Sequence, residues 1–428
     1  MQLKMGREII RRSARLNSKK YSQYAGDSLA FIEQVCGKHI PDCLRPLFKS
    51  WDKNEITVAV SATGTGKTFS GGQMAVASYI CQYMPKIFIT AAPPEDNIKL
   101  LLWNEILSAL YSNAEVFRNE KATQDLTVRP KGDGDADEEK LSRLIKGLVI
   151  PQAGDPHTRE SKFSGKHAPY LGFICDEADG IPSEIFKGID GCLSGGIARW
   201  MLFFNPRKQS GPVWDLIKSG RANVVKISAF DHPNVITGDD VIPGAVSQAK
   251  TIIRINDWTR PLVSGEQIDQ DCFQVPEFLI GKSTKREKGD GYYDPLPVGW
   301  RHIEDPQFSY KVLAQYPSQS ESGLIPRIRF DRAVENGKKY LAEYGDVHAN
   351  GILPRLGYDI AESVAGDENV ISERYSGVLK LGVDRWKGMD TIAGADRAER
   401  RYIESSAEMI AVDATSIGAG TARTLRQR

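Results

Sequence analysis

The chain contains no apolar run near the ~20 residues that a membrane-spanning helix requires. Its N-terminus also lacks the short apolar core of a secretory signal. Neither charge is in excess: 56 Lys and Arg stand against 55 Asp and Glu, a formal net charge of +1. Strong basicity would have pointed to nucleic acid. Its absence leaves DNA open, because a local basic stripe is enough to contact phosphates. Cysteine is sparse. The six thiols, Cys36, Cys43, Cys81, Cys175, Cys192 and Cys272, form no CxxC pair, which fits reduced thiols in a cytosolic protein. Cys36, His39 and Cys43 lie close together but lack an evident fourth zinc ligand. No repeat of solenoid period is present.

What is present is an ordinary globular composition, 41% hydrophobic and 26% charged over 428 residues. That length suggests two domains and a sizeable core. Residues 1–50 read as a helical segment. Its first twenty positions carry Lys4, Arg7, Arg11, Arg12, Arg15, Lys19 and Lys20 against Glu8, a pattern open to a solvated helix and to an arm that contacts DNA or a partner. Strand and helix then alternate. Ile56–Val60 is a short β-branched strand, a helical pattern runs through Tyr83, Lys86–Thr90 is a second strand, and 96–110 a second helix. Leu171–Cys175 and Arg199–Phe204 follow as strands. This alternation predicts an α/β fold with a mostly parallel sheet. The acidic stretch 131–139 is a loop. From Asn256 to Pro317 the pattern weakens, and the basic run 281–289 reads as part of an inter-domain region. A second α/β pattern starts near Arg355. The expected boundaries are 1–50, 51–255 for a motor, 256–345 for a linker region, and 346–428 for a second domain.

Two segments carry chemistry. Ser61-Ala-Thr-Gly-Thr-Gly-Lys-Thr68 matches the phosphate-binding loop pattern, with Ser61 in place of the first glycine. Small residues at Ser61, Gly64 and Gly66 let backbone N–H groups close around phosphates. Within this run, which includes Thr65, Lys67 would neutralise the β- and γ-phosphates of ATP, and the Thr68 hydroxyl would ligate Mg²⁺. Phe173-Ile-Cys-Asp-Glu177 is an apolar strand ending in two carboxylates. Downstream of such a loop, Asp176 suits the magnesium ion and Glu177 the general base that polarises water.

The Asp176-Glu-Ala-Asp179 string also fits a DEAD-type helicase, which would need a second motor lobe after residue 255 with an HRxGRxxR motif. No such motif occurs, and Phe204-Asn205-Pro206 stands where a Ser-Ala-Thr element is expected.

Several segments instead resemble, in order, the large subunit of tailed-phage DNA-packaging terminases. They are Lys86–Pro94 with Leu102-Trp103-Asn-Glu-Ile106, Phe163–Pro169 before Asp176–Pro182, Phe204–Pro206 with Ser210-Gly211 and Trp214-Asp215, Asp231–Asn234, and Tyr316-Pro317 with Leu324–Pro326. The resemblance covers most of residues 45–428. It implies ATP-driven translocation of double-stranded DNA into a procapsid, with Phe204, Asn205 and Pro206 as the coupling segment. It also implies an RNase H-like nuclease domain that holds two Mg²⁺ or Mn²⁺ ions and cuts concatemeric DNA. Asp359, at the end of Leu356–Asp359, and Asp413, at the end of Met409–Asp413, would be ligands, with Asp367 a further candidate. The family's third nuclease acid has no counterpart before Arg428, so the nuclease is expected to be incomplete. Many members carry an arginine where Thr63 stands, so the charge-stabilising arginine must come from elsewhere, Arg159 and Arg199 in cis or a neighbouring subunit in trans. The implied partners are a portal protein, the terminase small subunit and further copies in a ring, without a membrane, in the host bacterial cytoplasm and transiently at the procapsid portal. Two other readings stand beside this one, a helicase-like remodelling ATPase and a decayed prophage relic with an interaction role.

Overall fold

Short apolar strands alternating with longer helices produce the sheet that the sequence pattern predicts. In the computed structural model the described residues are 20–131, 141–151, 155–287, 290–318, 327–344, 353–361, 368–375, 378–387, 391–412 and 418–427. The chain divides into two compact units, Met1–Pro326 and Arg327–Arg428. No helix among the described residues is long and apolar enough to cross a membrane. The basic N-terminal positions 4–19, most of the acidic loop, and Leu324–Pro326 lie outside the described residues.

The first unit is built on an eight-stranded sheet. Its strands are β1 (Ile56–Ser61), β2 (Pro85–Ala91), β3 (Glu120–Thr123), β4 (Thr127–Pro130), β5 (Leu144–Gly147), β6 (Tyr170–Asp176), β7 (Ile197–Phe204) and β8 (Asn223–Ile227), in the order β3-β4-β5-β2-β6-β7-β1-β8. The run from β5 to β8 is parallel, and β3 and β4 extend it antiparallel. Both faces of the central strands β2, β6, β7 and β1 are covered, which is why they read as continuous apolar runs, whereas edge strand β8 is largely exposed. Alternate residues serve opposite cores. Ala59, Ile87, Ile89, Met201 and Phe203 pack on one face with Trp51, Met74 and Trp103. Val58, Val60, Phe88, Trp200, Leu202 and Phe204 pack on the other with Phe163, Ile185 and Val213.

Helices α1 (Arg45–Lys53), α2 (Lys67–Cys81) and α3 (Trp103–Tyr111) lie on the first of these faces. Trp51, fully buried, satisfies its indole N–H on Ser78 Oγ at 2.9 Å, so its large apolar area is sequestered without an orphaned donor. At Gly72 of α2, a Cβ would stand 2.8 Å from Glu105 Cβ, so the glycine sets how closely α2 and α3 approach.

Residues after 255, expected as a linker, form the end of helix α4 (Gln248–Trp258) and an antiparallel sheet β10-β11-β9 made of β9 (Thr259–Pro261), β10 (Cys272–Gln274) and β11 (Trp300–Ile303). Phe273, Leu279, Leu296, Ile303 and Phe308 share a third core with Ala62, Val235 and Val246. This region is therefore packed into the first unit. Its strands are only three or four residues long, too short for alternation to register in a sequence window.

The second unit carries a four-stranded sheet in the order β14-β13-β12-β15, made of β12 (Arg355–Asp359), β13 (Asn369–Tyr375), β14 (Val378–Trp386) and β15 (Met409–Val412). β13 is antiparallel to both neighbours, and β12 and β15 run parallel. Helix α5 (Thr391–Glu404) contributes Ala398 to a small core with Leu356, Tyr358, Ile371 and Trp386. An Arg397–Asp384 ion pair ties α5 to β14.

Candidate active site

The loop between β1 and α2 requires two backbone conformations that L side chains rarely adopt. Gly64 has φ 77° and Gly66 φ 94°. A Cβ on Gly66 would also meet Leu44 Cδ1 at 3.0 Å, and one on Gly64 would meet Val246 N at 3.3 Å. These glycines therefore serve both the turn and the close approach of neighbouring segments. Inside the turn, Ser61 Oγ and Thr65 Oγ1 are hydrogen-bonded at 2.6 Å, and the buried Lys67 ammonium donates to the Ala62 carbonyl at 3.2 Å. Ser61 thus fills the place of the first glycine with a side chain that is fully buried and satisfied.

Asp176 closes the site from β6. Thr68 Oγ1 donates to Asp176 Oδ2 at 2.9 Å, and the Glu177 backbone N–H donates to Asp176 Oδ1 at 2.9 Å. Burial pushes the Asp176 carboxyl up, Glu177 adds to that, and Lys67 opposes it. Burial likewise pushes the Lys67 ammonium down against the pull of Glu177 and Asp176. Each group is held away from water with few compensating partners, an arrangement that an incoming anion and cation would complete. Glu177 has φ 47°, a strained conformation for a non-glycine residue of the sort that collects at functional sites. It is one of the residues that line the neighbouring cavity.

The two chemical segments are not on adjacent strands. β7 lies between β1 and β6, and the residue following it, Asn205, donates from Nδ2 to the Ser61 carbonyl at 2.7 Å. Phe204 packs 6.3 Å from Tyr316, which makes an edge contact with Trp214 at 4.8 Å. Tyr316, about a hundred residues further along the chain, thus packs against both Phe204 and Trp214.

A cavity of about 430 Å³ joins these groups. It is lined by Thr63–Phe69, Glu177 and Asn205, and also by His39, Pro41, Leu44, Glu105, His232 and Ile242–Ala245. Sequence reasoning did not find this second set as site residues. Signals were present in His39, noted beside Cys36 and Cys43, in Glu105 of the Leu102–Ile106 string, and in the Asp231–Asn234 string, whose His232 is buried and whose Nδ1 accepts from Asn234 N–H at 3.3 Å. The apolar wall of Pro41, Leu44 and Phe69 beside a phosphate-type loop suits a nucleotide base.

The cis arginines expected from sequence are elsewhere. Arg199 is the third residue of β7, at the end opposite the loop, and donates to the carbonyls of Ala198 at 2.8 Å and Asp52 at 2.9 Å. Phe204 is five positions further along the strand, roughly 16 Å at ~3.3 Å per strand residue. Arg159 is ion-paired to Glu184 at 3.0 Å and does not line the cavity. In the second unit Asp359 is exposed at the end of β12. Tyr358 pairs with Val412 of β15. Asp413, Glu362 and Asp367 lie outside the described residues.

No family model matches the chain. A curated relative, a probable terminase large subunit of Enterobacteria phage P7, is 24% identical over 180 residues, 42% of this chain. The match spans 28% of that relative's length. Among solved structures, the large terminase of a thermophilic bacteriophage in complex with ADP is similar over 91% of this chain and 80% of its own, at 9% identity and a TM-score of 0.40. The HK97 bacteriophage large terminase is similar over 90% and 74%, at 10% identity and a TM-score of 0.41. The ATPase domain of the Thermus phage P74-26 large terminase covers 46% of this chain and 85% of its own, at 16% identity and a TM-score of 0.34. Over those 180 residues, then, the chain is similar to a probable terminase large subunit of a phage.

Proposed function

We propose that the first unit binds and hydrolyses ATP and works as the motor of a DNA-packaging terminase. The observation that carries this reading is the Thr68–Asp176 hydrogen bond beside buried Lys67. It sets the carboxylate of a phosphate-transfer site directly behind Thr68, which lines the cavity together with Lys67. Thr68 and Asp176 are hard oxygen donors, and a magnesium ion typically takes one or two carboxylates and leaves its other positions to water and phosphate, so this pair fits Mg²⁺. When bound, Mg²⁺ would neutralise charge on the phosphate oxygens. Backbone N–H groups of Gly64–Thr68 hold the phosphates, Lys67 balances their charge, and Glu177 orients water and takes its proton. Asn205, bonded to the loop through Ser61, is placed to transmit the loss of the terminal phosphate along Phe204–Pro206.

The same reading extends to double-stranded DNA as substrate, a portal protein and a small subunit as partners, ring assembly, and residence in the host bacterial cytoplasm with transient docking at the procapsid portal. The alternation of antiparallel β13 with parallel β12 and β15 supports an RNase H-like nuclease in the second unit, with Asp359 as a ligand of two Mg²⁺ or Mn²⁺ ions. A helicase is less favoured. Among the described residues after 255, the sheets are a three-stranded antiparallel one and the four-stranded mixed one, and neither is a second parallel motor sheet.

The test is steady-state ATP turnover by the full chain and by Glu177→Gln. Removing the base should lower kcat by about 10²–10⁴-fold while leaving nucleotide binding in place. Unchanged turnover would exclude this site.

A further inference from the structure

We propose that a second, basic cavity on the other side of the phosphate loop binds a phosphate group. This rests on the nucleotide reading of the adjoining site. The cavity is about 820 Å³ and meets the nucleotide cavity along the Thr63–Gly64 turn, which lines both. One of its lining residues, Trp258, is an indole that carries two cations. The Arg254 guanidinium stands 5.4 Å from the Trp258 ring centroid, and Lys311 Nζ stands 5.7 Å from the same ring.

Among the described residues neither cation makes a contact ion pair with a carboxylate; Lys311 donates to the neutral amide of Gln307, and Arg254 feels the charge of Glu287 without contacting it. The two nearby acids are already engaged: Glu287 pairs with Lys250, and Asp257 accepts from Tyr293 OH at 2.6 Å. Arg286 adds a third cation to the lining and stands over the Tyr293 ring at 5.1 Å. Like charges that share a confined space repel, and an anion between them converts that repulsion into attraction. Partial burial of Arg254 lowers its affinity for its proton, and the charge of Glu287 opposes that only in part. A phosphate matches both a guanidinium fork and an ammonium point charge.

The position of the cavity gives the site a role. The Lys311 carbonyl accepts the Thr63 N–H at 3.2 Å, so the backbone bearing one cation is bonded to the loop that would hold the terminal phosphate. A phosphate severed from the nucleotide would have this cavity as its neighbouring space. The same cations would also accept a phosphate of a DNA backbone, and the experiment separates the two sources.

Inorganic phosphate is titrated calorimetrically into the full chain preloaded with ADP and Mg²⁺, then into Arg254→Gln/Lys311→Gln. The double variant should weaken phosphate binding at least about tenfold and leave ADP affinity unchanged. The charge-conserving Arg254→Lys/Lys311→Arg should recover most of that loss, which separates charge from misfolding. Equal phosphate affinity in wild type and double variant, or no recovery by the charge-conserving pair, overturns the proposal. Failure of the wild type to bind ADP would instead sink the nucleotide reading. Given the tenfold loss, displacement of bound phosphate by a short DNA duplex assigns the site to the DNA backbone, and no displacement assigns it to free phosphate.

Discussion

Asn205 Nδ2 donates to the Ser61 carbonyl at 2.7 Å, joining the end of β7 to the first residue of the phosphate loop on the adjacent β1. Both residues are buried. The bond makes the position of the loop depend on the segment behind it. Asn205→Ala removes the donor and leaves a buried carbonyl short of a partner, a loss of about 1–3 kcal/mol. ATP turnover should fall about tenfold or more, with a lower melting temperature. Turnover and melting measured on one preparation check this, and wild-type turnover in the variant would remove Asn205 from the coupling path.

Lys67→Ala should abolish measurable turnover and weaken nucleotide affinity together, because the ammonium contacts the phosphates in both ground and transition states. Fluorescent-nucleotide titration alongside the turnover assay separates it from Glu177→Gln, which should retain affinity. If Lys67→Ala binds nucleotide as tightly as wild type, the ammonium does not face the phosphates.

Buried His232 is held by burial below the usual histidine value of 6.5. The unfolded chain therefore binds that proton more readily than the folded one, and stability contributed by neutral His232 is lost as pH falls below 6.5. His232→Asn should flatten the decline in melting temperature between neutral and mildly acidic pH. Identical slopes for the two proteins would show that another group sets the acid limit.

Gly72→Ala sets two effects against each other. Alanine in a helix gains about 1 kcal/mol over glycine. Its Cβ, however, would lie 2.8 Å from Glu105 Cβ and 3.0 Å from the Glu105 carbonyl carbon, and overpacking of this sort costs about 1–3 kcal/mol. Backbone on one side leaves little room to yield, so net destabilisation is expected in denaturant melts. A more stable variant would mean that α2 and α3 separate easily.

Asp359→Ala should remove any Mn²⁺- or Mg²⁺-dependent plasmid cleavage and leave ATP turnover intact. Gel assays with and without chelator, run beside the turnover assay, report both. Cleavage retained by the variant would exclude Asp359 as a metal ligand.

The most legible features were those contiguous in sequence. β1, the loop and α2 follow one another along the chain, so the strand-to-helix switch and Gly64, Gly66, Lys67 and Thr68 could be read directly. Asp176 and Glu177 were legible because an apolar strand ended in two acids. His39, Pro41 and Ile242–Ala245 were not, since each is chemically ordinary and far from the loop in sequence. The source of the charge-stabilising arginine stayed open between Arg159, Arg199 and a neighbouring subunit, because composition does not say at which end of a strand a residue lies relative to the site.

The phosphate-type loop, the acidic strand end and the alternation that makes a parallel sheet are written into residue order, because each depends on local periodicity and on residue types a few positions apart. That β7 runs between the two chemical strands, that residues beyond 255 share a core with the loop, and that Arg254 and Lys311 meet on one tryptophan emerged with the folded arrangement alone. Strand order and cavity walls arise from packing between segments remote in the chain, and that packing leaves no periodic trace in any one of them.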